Sequence, residues 1–253
     1  QLVADPDWPQ KACEGRTEDI VPCLRCLNCY HIATEHENVQ CSVNPRFRRE
    51  NRVPRKLEKT VKPKTVVVVG GGPAGMKAVL TAEEQGHRVI LLERAAQLGG
   101  QLHCADYDDY KKELKAYREY LIRQIAKSNV EVRLETEATP EMIASLAPDD
   151  LILGLGAKFI TPRIPGVEYA RQAVTLYPEL DSAQGRFVII GGGTIGTELA
   201  LELAERGKAV TLIEMSDTLS AKGNKLYRIA LHQHLRRCST LTCLLQSQVL
   251  EIK

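Results

Sequence analysis

The chain has 253 residues, of which 43% are apolar and 26% charged, with a formal net charge of +2. That length supports one large or two modest domains with real cores. The near-neutral balance gives no global field favouring nucleic acid, and no apolar run is long enough for a membrane span.

The chain opens Gln1-Leu2-Val3-Ala4-Asp5-Pro6, with neither an initiator Met nor a signal-peptide pattern, and closes on Glu251-Ile252-Lys253, which reads as a strand. Both ends read as cuts in a longer polypeptide. Residues up to about Glu50 are polar and loop-rich. They carry Cys23, Cys26, Cys29 and Cys41, half of the eight cysteines. Thiolates are soft ligands that select zinc or iron–sulfur clusters over hard cations. Zinc sites usually bring two C-x-x-C knuckles from separate places. Three thiols on one loop and a fourth further on fit a 4Fe–4S cubane better than zinc or a redox-active C-x-x-C pair. His31 and His36 fall inside the loop and read as non-ligands, since four thiolates already complete a set. Cys13, Cys104, Cys238 and Cys243 are scattered and read as buried small hydrophobes or inert thiols. A reducing, cytoplasmic setting follows from this usage.

Residues 51–64 are basic, contain Pro54 and Pro63, and read as a surface linker whose charges form a solvated face. Regular structure begins with Thr65–Val69, a continuous β-branched run of the kind buried on both faces of a parallel sheet. Gly70-Gly71-Gly72-Pro73-Ala74-Gly75 follows, then a helix from Met76 to Gln85 closed by Gly86, then a strand from Arg88 to Leu92 ending at Glu93. A helix is expected from Tyr107 to Ala126, its stripe of Tyr110, Leu114, Tyr117, Leu121 and Ile125 serving as core. Val130–Glu135 and Leu151–Gly156 read as strands, and Thr161–Gly166 as a domain crossing.

The βαβ pattern then returns 121 residues later. Arg186–Ile190 is a strand, Gly191-Gly192-Gly193-Thr194-Ile195-Gly196 a turn, Thr197–Glu205 a helix, and Ala209–Ile213 a strand ending at Glu214. Each acid lies 23 positions past the first glycine of its turn. A glycine turn that follows a strand, opens a helix and has its acid at this distance is a dinucleotide fingerprint. The glycines permit the tight turn, the close approach of backbone to pyrophosphate, and helix–strand packing. The helix start supplies free N–H groups, and the acid accepts from ribose hydroxyls. The first copy adds Glu93-Arg94 and Leu98-Gly99-Gly100-Gln101, a second close backbone approach suited to FAD. The second copy lacks it and reads as a nicotinamide site. Glu214 would repel a 2′-phosphate and no arginine follows at once, which favours NADH. The fold class is thus α/β: two Rossmann-like dinucleotide-binding folds preceded by a loop-rich iron–sulfur segment. The expected domains are 1–50, linker 51–64, 65–165 for FAD and 166–253 for NADH.

The run Ala4-Asp5-Pro6-Asp7-Trp8-Pro9, Glu14-Gly15-Arg16 and Asp19-Ile20, with the four cysteines, Val43-Asn44-Pro45 and both nucleotide motifs, resembles the iron–sulfur branch of the old yellow enzyme family. That branch contains 2-enoate reductases, dienoyl-CoA reductases, bile-acid-type oxidoreductases and trimethylamine dehydrogenase. The resemblance spans essentially the whole chain. It implies that residues 1–50 begin in the last helix of a TIM barrel that holds FMN and substrate, and that the chain stops inside the nicotinamide domain. It implies electron flow from NADH to FAD, to the cluster, and to FMN, where an activated C=C bond of an enoate-type small molecule is reduced. Cys23, Cys26, Cys29 and Cys41 carry over as cluster ligands. Gly70, Gly72, Gly75, Glu93, Gly100 and Gln101 carry over to FAD, and Pro73, Ala74 and Arg94 of the same motif are read with them. Gly191, Gly193, Gly196 and Glu214 carry over to NADH, and Thr194 and Ile195 of the same turn are read with them. A homo-oligomer without nucleic-acid or membrane partners is implied for the full-length protein. The chain departs from the family at Leu155, where threonine is usual, and at Arg48, where glycine is frequent. No catalytic acid–base residue is expected in this chain. Two other readings stay open: an amine-dehydrogenase-like module with ADP in the first site, passing electrons outward, and an inert nucleotide-binding fragment with a structural metal. A disulfide reductase would need a cysteine pair after Gly75, and that helix has none.

Overall fold

The computed structural model describes residues 1–34, 38–107 and 109–253. The chain forms two compact units, Gln1–Arg25 with Asn38–Ala157, and Cys26–Glu37 with Lys158–Lys253.

In the first unit, β1 (Thr65–Val69), β2 (Arg88–Leu92), β3 (Glu131–Arg133) and β4 (Asp150–Leu153) make one parallel sheet in the order β3-β2-β1-β4. Alternate side chains of these strands feed two cores, as the two-residue strand period requires. Val66, Val68, Val89 and Leu91 pack with Met76 and Val79 of α3 (Pro73–Glu84) and with Leu121 and Ile125 of α5 (Lys112–Lys127). Val67, Ile90 and Leu92 face the other way, against Met142 of α6 (Pro140–Ser145) and Leu146. At the sheet edge, β4 is exposed along its whole length.

The second unit holds a parallel sheet of β5 (Arg186–Ile190), β6 (Ala209–Ile213) and β7 (Leu241–Leu244), in that order. α7 (Thr194–Glu205) and α8 (Lys225–Leu235) accompany it. Residues 196–204 of α7 are all buried, including Glu198 and Glu202. Buried carboxylates need partners. Tyr227 Oη donates to Glu198 Oε1 at 2.6 Å, and Arg206 pairs with Glu202.

The segment before the linker carries α1 (Trp8–Cys13) and α2 (Asn28–Thr34). Asp5 is its buried hub. It accepts from Lys11 Nζ at 2.8 Å, the Val21 amide at 2.8 Å and the Asp7 amide at 3.0 Å. Asn44 Nδ2 donates to the Val3 carbonyl at 2.8 Å. Residues 51–64 contain no helix or strand.

Strands β1, β2, β5 and β6 have the bounds expected from their apolar runs. Other elements differ. Both glycine-turn helices start three residues early, at Pro73 and Thr194, because extended Gly72 and Gly193 are their N-caps. Proline is tolerated there since the first N–H of a helix has no partner to lose. The helix expected at Tyr107 begins at Lys112, after a short α4 (Leu102–Ala105) and a 3₁₀ turn at Asp109–Lys111; Asp108 lies outside the described residues. Tyr110 therefore precedes the helix and is exposed, while Tyr117, Leu121 and Ile125 pack into the core. Only Glu131–Arg133 of the expected Val130–Glu135 strand is paired, and β4 stops before Gly154. Glu251–Lys253 is not a strand; the Ile252 amide donates to the Pro165 carbonyl at 2.9 Å instead. Cys13 and Cys243 are exposed, and Cys104 and Cys238 half-buried, so none is a buried hydrophobe. Desolvation of the sulfur raises the thiol of half-buried Cys238 and also that of Cys243, although the latter residue as a whole is exposed. Among the described residues no helix is long and apolar enough to cross a membrane.

Candidate functional site

The first glycine turn joins β1 to α3. Gly70 has φ +105°, a conformation that costs other residues. A Cβ on Gly75 would lie 1.8 Å from the Gly70 carbonyl oxygen, so helix and strand can meet only through glycine. Gly72, by contrast, faces open space. Its neighbour Ala74 is exposed at the start of the helix, where N–H groups lack intrahelical acceptors. Glu93, at the end of β2, is buried, and its two oxygens accept the Gly71 amide at 2.5 Å and the Ala95 amide at 2.8 Å. Two amides do not exhaust the roughly four acceptor positions of a carboxylate. Gly100 presses on the turn, a Cβ there falling 2.9 Å from Gly72 Cα. Arg94 is exposed, and Gln101 Nε2 donates to the Ala157 carbonyl.

The second turn repeats this plan. Gly191 has φ +102°, and a Cβ on Gly196 would lie 2.0 Å from the Gly191 carbonyl oxygen. Gly193 is open, Ile195 is exposed, and Thr194 replaces Pro73, adding an N–H and a hydroxyl at the helix start. Glu214 accepts the Gly192 amide at 2.6 Å and the Ser216 amide at 2.7 Å. The Ser216 amide is the main reason its carboxyl titrates below the ordinary glutamate value. A cavity of about 280 Å³ opens where β5 and β6 end, lined by Ile190, Gly191, Ile213, Glu214, Met215 and Arg163. Carboxyl ends of parallel strands are where open α/β sheets take ligands.

Two contacts escaped the motif reading. Leu98 and Leu219, also 121 residues apart, each cover the second glycine of their turn. A Cβ on Gly71 would meet Leu98 at 2.6 Å, and one on Gly192 would meet Leu219 at 2.5 Å. The next amides complete the brace: Gly99 N–H donates to the Gly71 carbonyl at 2.9 Å and Ser220 N–H to the Gly192 carbonyl at 2.7 Å. Extending the repeat past the acids would have found both.

Of the four clustered cysteines, Cys23 and Cys41 belong to the first unit, and Cys26 and Cys29 to the second. Cys26 is exposed and the other three half-buried, and none of the four is in a disulfide. Among the described residues no three or more His, Cys, Asp or Glu side chains are gathered as a metal site would need. The chemistry of the donor set still fits a thiolate-held cluster. Arg25 and Leu27, on either side of Cys26, have φ +49° and +56°, so the backbone coils tightly there. Burial, and then the nearby Cys41 thiolate, raises the Tyr117 hydroxyl. His31 lies in α2; His36 lies outside the described residues.

Residues 64–253 match the family described as pyridine nucleotide-disulphide oxidoreductase. The chain is 38% identical to an NADH oxidase of Thermoanaerobacter brockii, over 93% of this chain and 37% of that protein. It is 33% identical to a cinnamate reductase of Clostridium sporogenes, over 89% of this chain and 34% of that one. A solved 2-naphthoyl-CoA reductase complex superposes with a TM-score of 0.92 at 30% identity, covering all of this chain and 38% of its own. The chain thus spans little more than a third of the length of these relatives. The resemblance to the old yellow enzyme family is borne out, together with the α/β FAD/NAD(P)-binding fold with parallel sheets.

Proposed function

We propose that this chain, which belongs to the pyridine nucleotide-disulphide oxidoreductase family, is the electron-feeding part of an NADH-dependent flavin and iron–sulfur oxidoreductase of 2-enoate reductase type. Gly70, Gly72, Pro73, Ala74, Gly75, Glu93, Arg94, Gly100 and Gln101 hold FAD. Gly191, Gly193, Thr194, Ile195, Gly196 and Glu214 hold NADH. Cys23, Cys26, Cys29 and Cys41 hold a 4Fe–4S cluster. When bound, the flavin takes an electron pair as hydride and the cluster carries electrons singly, onward to an FMN elsewhere in the full-length protein, where an activated C=C bond is reduced.

The residues of this chain bind and orient. The open faces of Gly72 and Gly193 admit a pyrophosphate to within reach of helix-start N–H groups. Glu93 and Glu214 are pinned by backbone amides, so their free lone pairs have a fixed direction towards ribose hydroxyls. Cysteines outside disulfides suit a reducing compartment, the cytoplasm.

The observation that carries this reading is the near-identity of the two turns. Each has the last glycine of the turn seated on the first glycine's carbonyl oxygen and an acid accepting the second glycine's amide. One chain with two such cradles calls for two dinucleotides. The test is anaerobic absorption spectroscopy of the purified chain, with iron, sulfide and flavin assays before and after NADH. FAD with about four irons per chain, both bleached by NADH, is expected. Iron with ADP and no response to NADH would replace this reading by the amine-dehydrogenase one. Zinc in place of iron would end the relay.

A further inference from the structure

Beneath the first glycine turn lies a buried ion pair that the motif does not include. Arg118 of α5 donates from Nε to Asp106 Oδ2 at 2.5 Å. Asp106 closes the C-terminal end of α4, and its side chain is 4% exposed. The same arginine abuts the loop that presses on the turn: a Cβ on Gly99 would fall 2.7 Å from Arg118 Cδ and 2.7 Å from His103 Nε2. His103 Nε2 in turn lies 2.9 Å from the Leu98 carbonyl oxygen. Leu98, Gly99 and Gly100 are therefore held between α4 and α5 on one side and the glycine turn on the other.

That loop needs holding. Gly99 and Gly100 are consecutive glycines at φ +125° and +53°. Such a pair has much conformational freedom to lose when it orders. In the nicotinamide unit one part of this device recurs, His232 Nε2 lying 3.1 Å from the Leu219 carbonyl oxygen. Positions 121 residues after His103, Asp106 and Arg118 are Asn224, Tyr227 and Ser239. Asn224 there caps α8, its Oδ1 accepting the Leu226 amide at 3.0 Å. The histidine hold is thus common to both turns, while the Asp106–Arg118 pair, replaced at the offset positions by Tyr227 and Ser239, accompanies the turn with the extra glycine pair.

We propose that Asp106 and Arg118 are positioning residues that preset the Gly99–Gly100 backbone for FAD, and that they set flavin affinity in this unit alone. The inference rests on the flavin reading of the first site. Removing one member of a buried pair leaves an uncompensated charge, whereas replacing both by apolar groups of similar volume is often neutral for stability. The double variant D106L/R118M therefore separates positioning from folding.

The experiment is titration of the 253-residue chain and its variants with FAD, followed by the visible circular dichroism of the bound flavin, alongside NADH titration and thermal unfolding. The wild type should bind FAD. D106L/R118M should keep its unfolding midpoint and NADH affinity, bind FAD roughly ten- to a hundredfold more weakly, and show an altered flavin band. R118K should recover part of the affinity. Unchanged FAD affinity and flavin band in the double variant would overturn the inference while leaving the flavin reading intact. Equal losses of FAD affinity, NADH affinity and unfolding midpoint would also overturn it, by showing a merely structural pair. A wild-type chain that binds NADH but no FAD would overturn the flavin reading itself, and the inference with it.

Discussion

Gly75 sits on Gly70 so closely that a single added methyl group would overlap the Gly70 carbonyl oxygen at 1.8 Å. The obstacle is backbone, not a flexible side chain, so it cannot swing away. Overpacking of this kind costs about 1–3 kcal/mol or more. Here it would also push α3 off β1 and widen the cradle. Gly75→Ala is expected to lower the unfolding midpoint and abolish FAD binding, with NADH binding in the other unit retained. Gly196→Ala, at 2.0 Å from the Gly191 carbonyl oxygen, should do the reverse. Paired FAD and NADH titrations of the two variants check this; a G75A chain with wild-type FAD affinity would contradict the close-packed turn.

Glu214 predicts a pH dependence. The amides of Ser216 and Gly192 hold its folded carboxyl below the ordinary value of 4.5. For a depressed acid, the stabilisation is fully present above the unfolded value and fades as pH falls through the folded one. Urea unfolding of wild type and Glu214→Gln should therefore differ most near neutral pH. The difference should shrink on going below about pH 4.3, the ordinary glutamate range. A constant difference down to the acid limit would mean that the carboxylate charge contributes nothing to holding the Gly192 turn.

The parts of the fold that could be read from sequence are those with a local cause. β1, β2, β5 and β6 are short runs dominated by β-branched and aliphatic residues, and each ends at a turn or an acid. The glycine turns were legible because their geometry is fixed within six residues. α6, α8 and β7 were not read. α8 buries only Leu231 and Leu235, a stripe too thin to stand out among His and Arg, and β7 is mostly exposed. Both helices do carry N-cap signals, Thr139 accepting the Met142 amide and Asn224 accepting those of Leu226 and Tyr227. The Asp106–Arg118 pair was invisible for a different reason. Nothing local relates two charged residues twelve apart that meet only when α4 and α5 pack.

Tyr227 and Glu198 meet across 29 residues, and a carboxylate that is 5% exposed accepts from that phenol. Tyr227→Phe keeps the ring and removes one donor to a buried anion, at a cost of about 1–3 kcal/mol. Chemical denaturation is expected to show that loss. The far-UV signal should not change, since the aromatic packing of α8 is intact. Glu198→Gln in the Tyr227→Phe background should recover stability, because the neutral amide no longer needs a charge-stabilising donor. If the single variant is as stable as wild type, Glu198 is sufficiently held by its other surroundings and the phenol bond is incidental.

The cysteines give the last prediction, and it turns on counting metal. If Cys23, Cys26, Cys29 and Cys41 are one ligand set, replacing any of them by serine should lower the iron and sulfide bound after anaerobic reconstitution. A hard alkoxide or hydroxyl is a poor substitute for a thiolate on iron. Cys104→Ser and Cys238→Ser should leave iron unchanged, since those half-buried thiols stand apart from the motif. The four replacements need not be equivalent. Cys26 lies between two residues at positive φ, whose coiling costs of order 1–3 kcal/mol each when nothing over-determines it. Loss of the cluster should therefore release that segment, read as faster proteolysis near Arg25. Full iron in every serine variant would remove these cysteines as ligands. Loss of iron without any change in cleavage would separate metal binding from the shape of the loop.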